Sequence, residues 1–261
     1  MRFPIATILL CAAVAVPYYL AAGDTFYLQS KTLAVFSFGL QTPTGVFSYL
    51  FTHVGLLHLV GNLVPLIVFG LLLESVLPSL DVLFIFVLSG FFSGLAFVLL
   101  NANVFLAGAS TGVAGLMTAS TMLKPRKAIA LLLVTGALIF FLLNPAISLL
   151  LNMRVSGWQA EQQQLQQTVE QLQQQGRVGE AVQTQAQADA VAQKVEQTQT
   201  GLEREKQTPT DFSVHVIGAL VGALYVFFFK KTALKKGARE FEKLGDGVFS
   251  LFERAFGKRK V

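Results

Sequence analysis

The chain has a single cysteine, a single tryptophan and three histidines in 261 residues. One cysteine, Cys11, excludes a disulfide framework and any cysteine-based metal site. Charge is scarce too. Only 13% of residues are Asp, Glu, Lys or Arg, against about 25% in soluble domains. With 53% hydrophobic residues and a mean hydropathy of +0.59, that scarcity excludes a soluble globular enzyme, a disordered chain and a collagen-like fibre. The net charge of +5 does not point to nucleic acid. The basic residues gather at the ends of apolar runs, as in a membrane protein.

Long apolar runs dominate what remains. A spanning helix needs about 20 mostly apolar residues, and six runs are candidates: Pro4–Ala22, His53–Leu73, Val82–Leu100, Ser110–Leu123, Ala128–Met153 and Phe212–Phe229. The fourth is short if it begins at Ser110. That start then lies below the bilayer surface, which is tolerated only where protein or a water-filled cavity surrounds it. Arg2, Lys124, Arg126, Lys127, Lys230, Lys231, Lys235 and Lys236 fall on one side of a six-span arrangement. The positive-inside rule makes that side cytoplasmic and places both termini there, in a multi-pass protein of the cell membrane. The first span also reads as a cleavable signal peptide with small residues at Ala21–Gly23. Cleavage there leaves the orientation of the later spans unchanged.

The expected fold class is an all-α membrane protein: a six-helix transmembrane bundle with an inserted helical hairpin before the last span and a C-terminal amphipathic helix. Residues 1–153 hold spans one to five. Within them Gly23–Thr52, rich in Phe but broken by Gly and Pro, is expected as an outer loop partly sunk in the membrane. Residues 154–210 form a Gln-rich extracytoplasmic insert. Trp158, Leu165, Val169 and Leu172, then Val191, Val195 and Leu202, sketch a sparse hairpin seam interrupted at Gly176 and Gly179. Low-complexity disorder is the other reading of this segment, and no chemistry is assigned to it. Residues 211–230 are the sixth span. Residues 231–261 are a basic tail with Phe241, Leu244, Val248, Leu251, Phe252 and Phe256 at helical spacing, expected to lie on the cytoplasmic leaflet or to dock on the bundle.

Ionisable residues within spans are costly and default to functional hypotheses. All three histidines, His53, His58 and His215, lie at or inside span ends that face outside. Ser110 opens the fourth span on the same side. His58 and Asn62 are four apart and share a helical face. They suit hydrogen bonding into a cavity, or equally bonding between helices. Ser110 at a helix N-terminus stands among free N–H donors that suit a developing oxyanion. It also fits a small-residue packing face bonded back to its own helix. Gly218 and Gly222 form a close-packing stripe beside His215. Pressed against the small residues of the fourth span, that stripe brings an imidazole near a hydroxyl, the pairing of a nucleophile with its general base.

In combination these segments resemble the rhomboid family of intramembrane serine proteases. His53, His58 and Asn62 fit the family's His-x4-His-x3-Asn. Gly108 and Ser110 fit Gly-x-Ser. His215, Gly218 and Gly222 fit His-x2-Gly-x3-Gly. Gly70 and Glu74 are similar to its Gly-x3-Glu. The resemblance covers roughly residues 4–153 and 211–230 and implies roles. Ser110 attacks the scissile carbonyl and His215 carries the proton. Asn62, His58 and the Ser110 backbone N–H hold the oxyanion. Gly108, Gly218, Gly222 and His53 support the site, and no cofactor or metal takes part. Transmembrane proteins are the implied substrates, cut near their outer ends at small residues and poor helix formers, with the lipid bilayer as surroundings.

Three residue-level departures bear on activity: Thr111 where the family often has Gly, Ala114 where many members stack an aromatic on the histidine, and an outer loop without the Trp-Arg pair of several bacterial members. Thr111 and Ala114 keep a catalytically inactive, helix-binding relative in play. A transporter lacks support in repeated halves or midplane charges. A zinc protease lacks His-Glu-x-x-His.

Overall fold

The computed structural model describes residues 3–101, 104–207 and 212–256. The helices are α1 (Ile5–Ala22), α2 (Ser30–Phe36), α3 (Gly45–Ser48), α4 (Leu56–Glu74), α5 (Ser79–Leu100), α6 (Ser110–Leu123), α7 (Pro125–Ala137), α8 (Asn144–Gln174), α9 (Val178–Gln207), α10 (Phe212–Phe229) and α11 (Lys231–Phe256). No strand occurs among the described residues. Only isolated bridges such as Tyr27 to Gly55 and Phe38 to Leu106 tie loops together. The chain is an all-α, multi-pass integral membrane protein. Five stretches are long and apolar enough to cross a bilayer: α1, α4, α5, the run from α7 into α8, and α10.

The remaining expected span is α6. Its 14 residues reach about 21 Å at 1.5 Å per residue, short of the roughly 30 Å hydrocarbon core. A helix this short needs protein around it, and it has it: α4, α5 and α10 all pack on α6. Small residues make that possible. A Cβ on Gly112 would fall 2.6 Å from the Phe86 ring, and one on Gly115 would strike the Ser89 side chain. The α10 stripe fits the same surface. A Cβ on Gly218 would stand 2.3 Å from the Thr111 carbonyl oxygen, and one on Gly222 2.4 Å from that of Gly115. Both contacts rise together along the two helices, so α6 and α10 run parallel, backbone against backbone.

Glu74 closes the far end of α4. Its carboxylate accepts the backbone N–H groups of Ala6 (3.0 Å) and Thr7 (3.1 Å) and the Thr7 hydroxyl. It thereby caps the otherwise unsatisfied start of α1, while Gly70 lets Thr7 come close. The Gly70–Glu74 pair therefore joins spans one and two. Glu74→Ala leaves buried donors unpaired and is expected to lower unfolding stability in detergent by about 1–3 kcal/mol, read from the unfolding midpoint. At the same end Asp81 accepts the Tyr225 hydroxyl (2.7 Å) and pairs with Lys230 (2.6 Å), linking α5 to α10. There α11 crosses α6, with Gly237 against the Met122 carbonyl and Lys124 3.8 Å from Glu240. The side chains of Val248, Leu251, Phe252 and Phe256 lie outside the described residues.

The insert differs from its sequence outline. The sequence puts a junction at 153/154, yet the helix runs through it. The α7 helix, a π-helical stretch at Leu138–Leu143 and α8 form one unbroken 50-residue rod. The π stretch precedes Pro145, whose missing N–H breaks the regular ladder; a widened turn absorbs that defect. The rod reverses at Gly176, in the left-handed region with φ 74°, and α9 returns along α8 with Val169, Leu172, Val191 and Val195 buried. Gly179 lies within α9 and does not interrupt it. Trp158 on α8 takes Arg154 and Lys194 over its ring at 5.2 and 5.9 Å.

Candidate active site

The site is built where α6 begins. Gly108 sits at φ 118°, a conformation that L side chains rarely adopt. Its N–H donates to the Tyr49 carbonyl at 2.8 Å. The next N–H, of Ala109, points at Nε2 of His53 at 3.4 Å. His53 is fully buried, and its ring lies 5.0 Å from that of His58. The α6 N-terminus carries no side-chain cap. Its first N–H groups therefore remain available at the positive end of the helix dipole.

Gly108 stands directly over the two polar residues of α4. A Cβ there would lie 2.6 Å from Nε2 of His58 and 3.7 Å from Nδ2 of Asn62. Both the backbone conformation and the space demand glycine. Asn62 is buried, and its amide donates to the His58 carbonyl at 2.9 Å. One amide hydrogen is thus held inside α4 and the second is left for another acceptor.

Ser110 is the first residue of α6 and half-buried. His215, also half-buried, is placed by helix register. It lies three residues before Gly218, which touches the carbonyl of Thr111, the neighbour of Ser110. At 1.5 Å per residue, Ser110 and His215 lie within about one turn of each other in height, at the same ends of two touching parallel helices. His215 is also an electrostatic neighbour of His58. Ser110, His215, His58, Asn62, Gly108 and His53 are thus gathered around one place. Gly222 lies one turn deeper in the α6–α10 seam.

Of the departures from the family pattern, Thr111 is accounted for. It is fully buried, with its Oγ1 3.1 Å from the Tyr49 hydroxyl. That phenol also donates to the Gly90 carbonyl at 2.6 Å. The threonine side chain therefore faces the loop and α5.

Sequence reasoning missed Tyr49, Tyr27 and Glu205. Glu205 belongs to the insert, to which no chemistry was assigned. Its Oε1 accepts the backbone N–H of His58 at 2.6 Å, and its Oε2 accepts the Tyr27 hydroxyl at 2.8 Å. Burial pushes this carboxyl above its ordinary range, opposed by the hydrogen bonds from Tyr27 and His58 that favour its charged form. Among the described residues no cluster of three or more His, Cys, Asp or Glu is placed to hold a metal.

The family model described as "Rhomboid domain" matches residues 41–160. The match takes in His53, His58, Asn62 and Ser110 and ends within α8, before His215. Comparison with curated proteins and with solved structures gives no match.

Proposed function

The chain belongs to the rhomboid family, and from that premise we propose that it is an intramembrane serine endopeptidase working through a Ser110–His215 dyad. The observation that carries the reading is the register of α6 and α10, in which Gly218 rests on the Thr111 carbonyl, a contact that puts Ser110 and His215 within about one helical turn of each other in height.

Ser110 Oγ attacks the scissile carbonyl while His215 takes its proton. The imidazole then returns that proton to the leaving amine, and water repeats the sequence on the acyl-enzyme. Negative charge on the tetrahedral oxygen is met by the uncapped N–H of Ser110, the free amide hydrogen of Asn62 and the imidazole of His58. Buried Gly108 keeps the space between these donors open. The orientation that suits this chemistry has both termini in the cytoplasm and the N-terminal ends of α4, α6 and α10 in a wet depression open to the outside. Substrates are transmembrane segments that unwind near their outer ends, where small residues and poor helix formers lower the cost of exposing a carbonyl.

A fluorophosphonate probe on the reconstituted protein tests the reading. Labelling that disappears in Ser110→Ala supports a reactive serine. No labelling of the wild type favours the inactive, helix-binding alternative, for which the missing aromatic at Ala114 is the specific ground. Asn62→Ala removes one of several oxyanion donors. It is expected to lower turnover by about 10²–10³ with little change in KM, measured on a transmembrane substrate in liposomes. Unchanged turnover assigns Asn62 to helix packing alone.

A further inference from the structure

The insert reaches into the site. Its returning arm, α9, lies on the outer loop through several separate contacts. Lys194 pairs with Asp24 at 3.2 Å. Gln197 donates to the Tyr27 carbonyl at 3.0 Å, and Arg204 to the Ser30 hydroxyl at 2.9 Å. Gly201 lies so flat on the Tyr27 ring that a Cβ would fall 2.2 Å from it. At the end of this track stands Glu205.

Its carboxylate meets the first turn of α4, a helix whose N-cap residue, Gly55, has no side chain to cap it. Oε1 takes the N–H of His58, the third residue of the helix, and a Cβ on Gly55 would stand 2.9 Å from Oε2. A side chain from 147 residues away therefore supplies what a local Asp or Ser usually does at this position: an acceptor for an orphan N–H and a negative charge at the positive end of the dipole. The bonded residue is the one whose imidazole sits under Gly108. The His58 carbonyl, one peptide further, holds the Asn62 amide. Fixing the His58 backbone therefore aims both side chains.

We propose that Glu205 is a positioning residue of the candidate site, a cap supplied by the insert that holds the first turn of α4 so that His58 and Asn62 point at the reacting oxygen. This rests on the protease reading for its effect on turnover, but the capping itself does not. Tyr27 completes the arrangement, since its hydroxyl bond to Oε2 fixes the carboxylate that Oε1 presents to α4.

The test uses the full chain in liposomes and two independent readouts: amide hydrogen exchange over residues 55–62, and kcat and KM on a transmembrane substrate. Glu205→Ala is expected to speed exchange in that segment by about five- to tenfold, the size of a lost helix cap. It should also lower kcat by about tenfold or more, with KM within about twofold and the unfolding midpoint lowered by no more than the loss of one helix cap. Glu205→Gln keeps an oxygen acceptor and is expected to restore most of both. Wild-type exchange and kcat in Glu205→Ala overturn the proposal. So does equal loss in Ala and Gln variants together with a midpoint lowered by more than one helix cap accounts for, which marks a general structural role. Cleavage retained by Ser110→Ala sinks the protease reading instead, and the exchange data still decide whether Glu205 holds His58.

Discussion

Ser110→Ala and His215→Ala are each expected to lower cleavage of a reconstituted transmembrane substrate by roughly 10⁴–10⁶-fold, and the double variant by no more than the worse single. In the proposed mechanism the two groups act as one unit: a serine without its base is a poor nucleophile, and a base without a serine has nothing to activate. Removing either forfeits nearly the whole covalent route, and what remains is catalysis by positioning and the oxyanion donors. The expected gap from Asn62→Ala is therefore large, because that variant loses one donor among several. Initial rates over a range of substrate concentrations separate the cases. The dyad variants should keep KM, since neither side chain is needed to hold a substrate helix. Independent, additive losses would mean that Ser110 and His215 belong to different devices.

Much of this was legible because the signals are local. Run length gives the spans. The i, i+4 spacing of His58 and Asn62 gives one face of α4. The Gly218–Gly222 stripe identifies the face of α10 that can approach another backbone. The shortness of α6 is visible in the sequence, since polar small residues from Gly108 to Thr111 interrupt the apolar run. What escaped depends on tertiary docking or on continuity that composition hides. At 153/154 the chain turns from apolar to Gln-rich, yet Gln, Glu and Ala keep high helix propensity. The change of composition therefore does not break the rod that runs from α7 into α8. Glu205 sits in a polar, weakly patterned segment, and nothing nearby in sequence marks it. Its meaning comes from α9 folding back over the loop between α1 and α4. Tyr49 is similar. Its carbonyl holds Gly108 and its hydroxyl holds Thr111, but in sequence it is one aromatic among many in a Phe-rich loop.

Gly218→Ala is expected to reduce turnover by about 10²-fold or more while lowering stability by about 1–3 kcal/mol. The added carbon would stand 2.3 Å from the Thr111 carbonyl oxygen and 3.2 Å from Ser93 Oγ. The nearer obstacle is backbone inside a helix that α4 and α5 hold from the other sides, so it cannot step aside as a flexible side chain can. α10 must therefore move away from α6 by roughly 1 Å, enough misplacement to cost that much turnover. His215 is carried on the moving helix three residues from the contact, whereas Ser110 stays with α6. Gly222→Ala, at 2.4 Å from the Gly115 carbonyl, should loosen the same seam one turn deeper, with a similar stability loss and a smaller loss of turnover because the pivot lies farther from the dyad. Gly136→Ala is the control: nothing lies within 4 Å of a Cβ there, and alanine favours the helix. Thermal midpoints and fluorophosphonate labelling rates in the same detergent compare the three. Equal labelling by Gly218→Ala and Gly136→Ala would show that the α6–α10 contact is not what brings serine and histidine together.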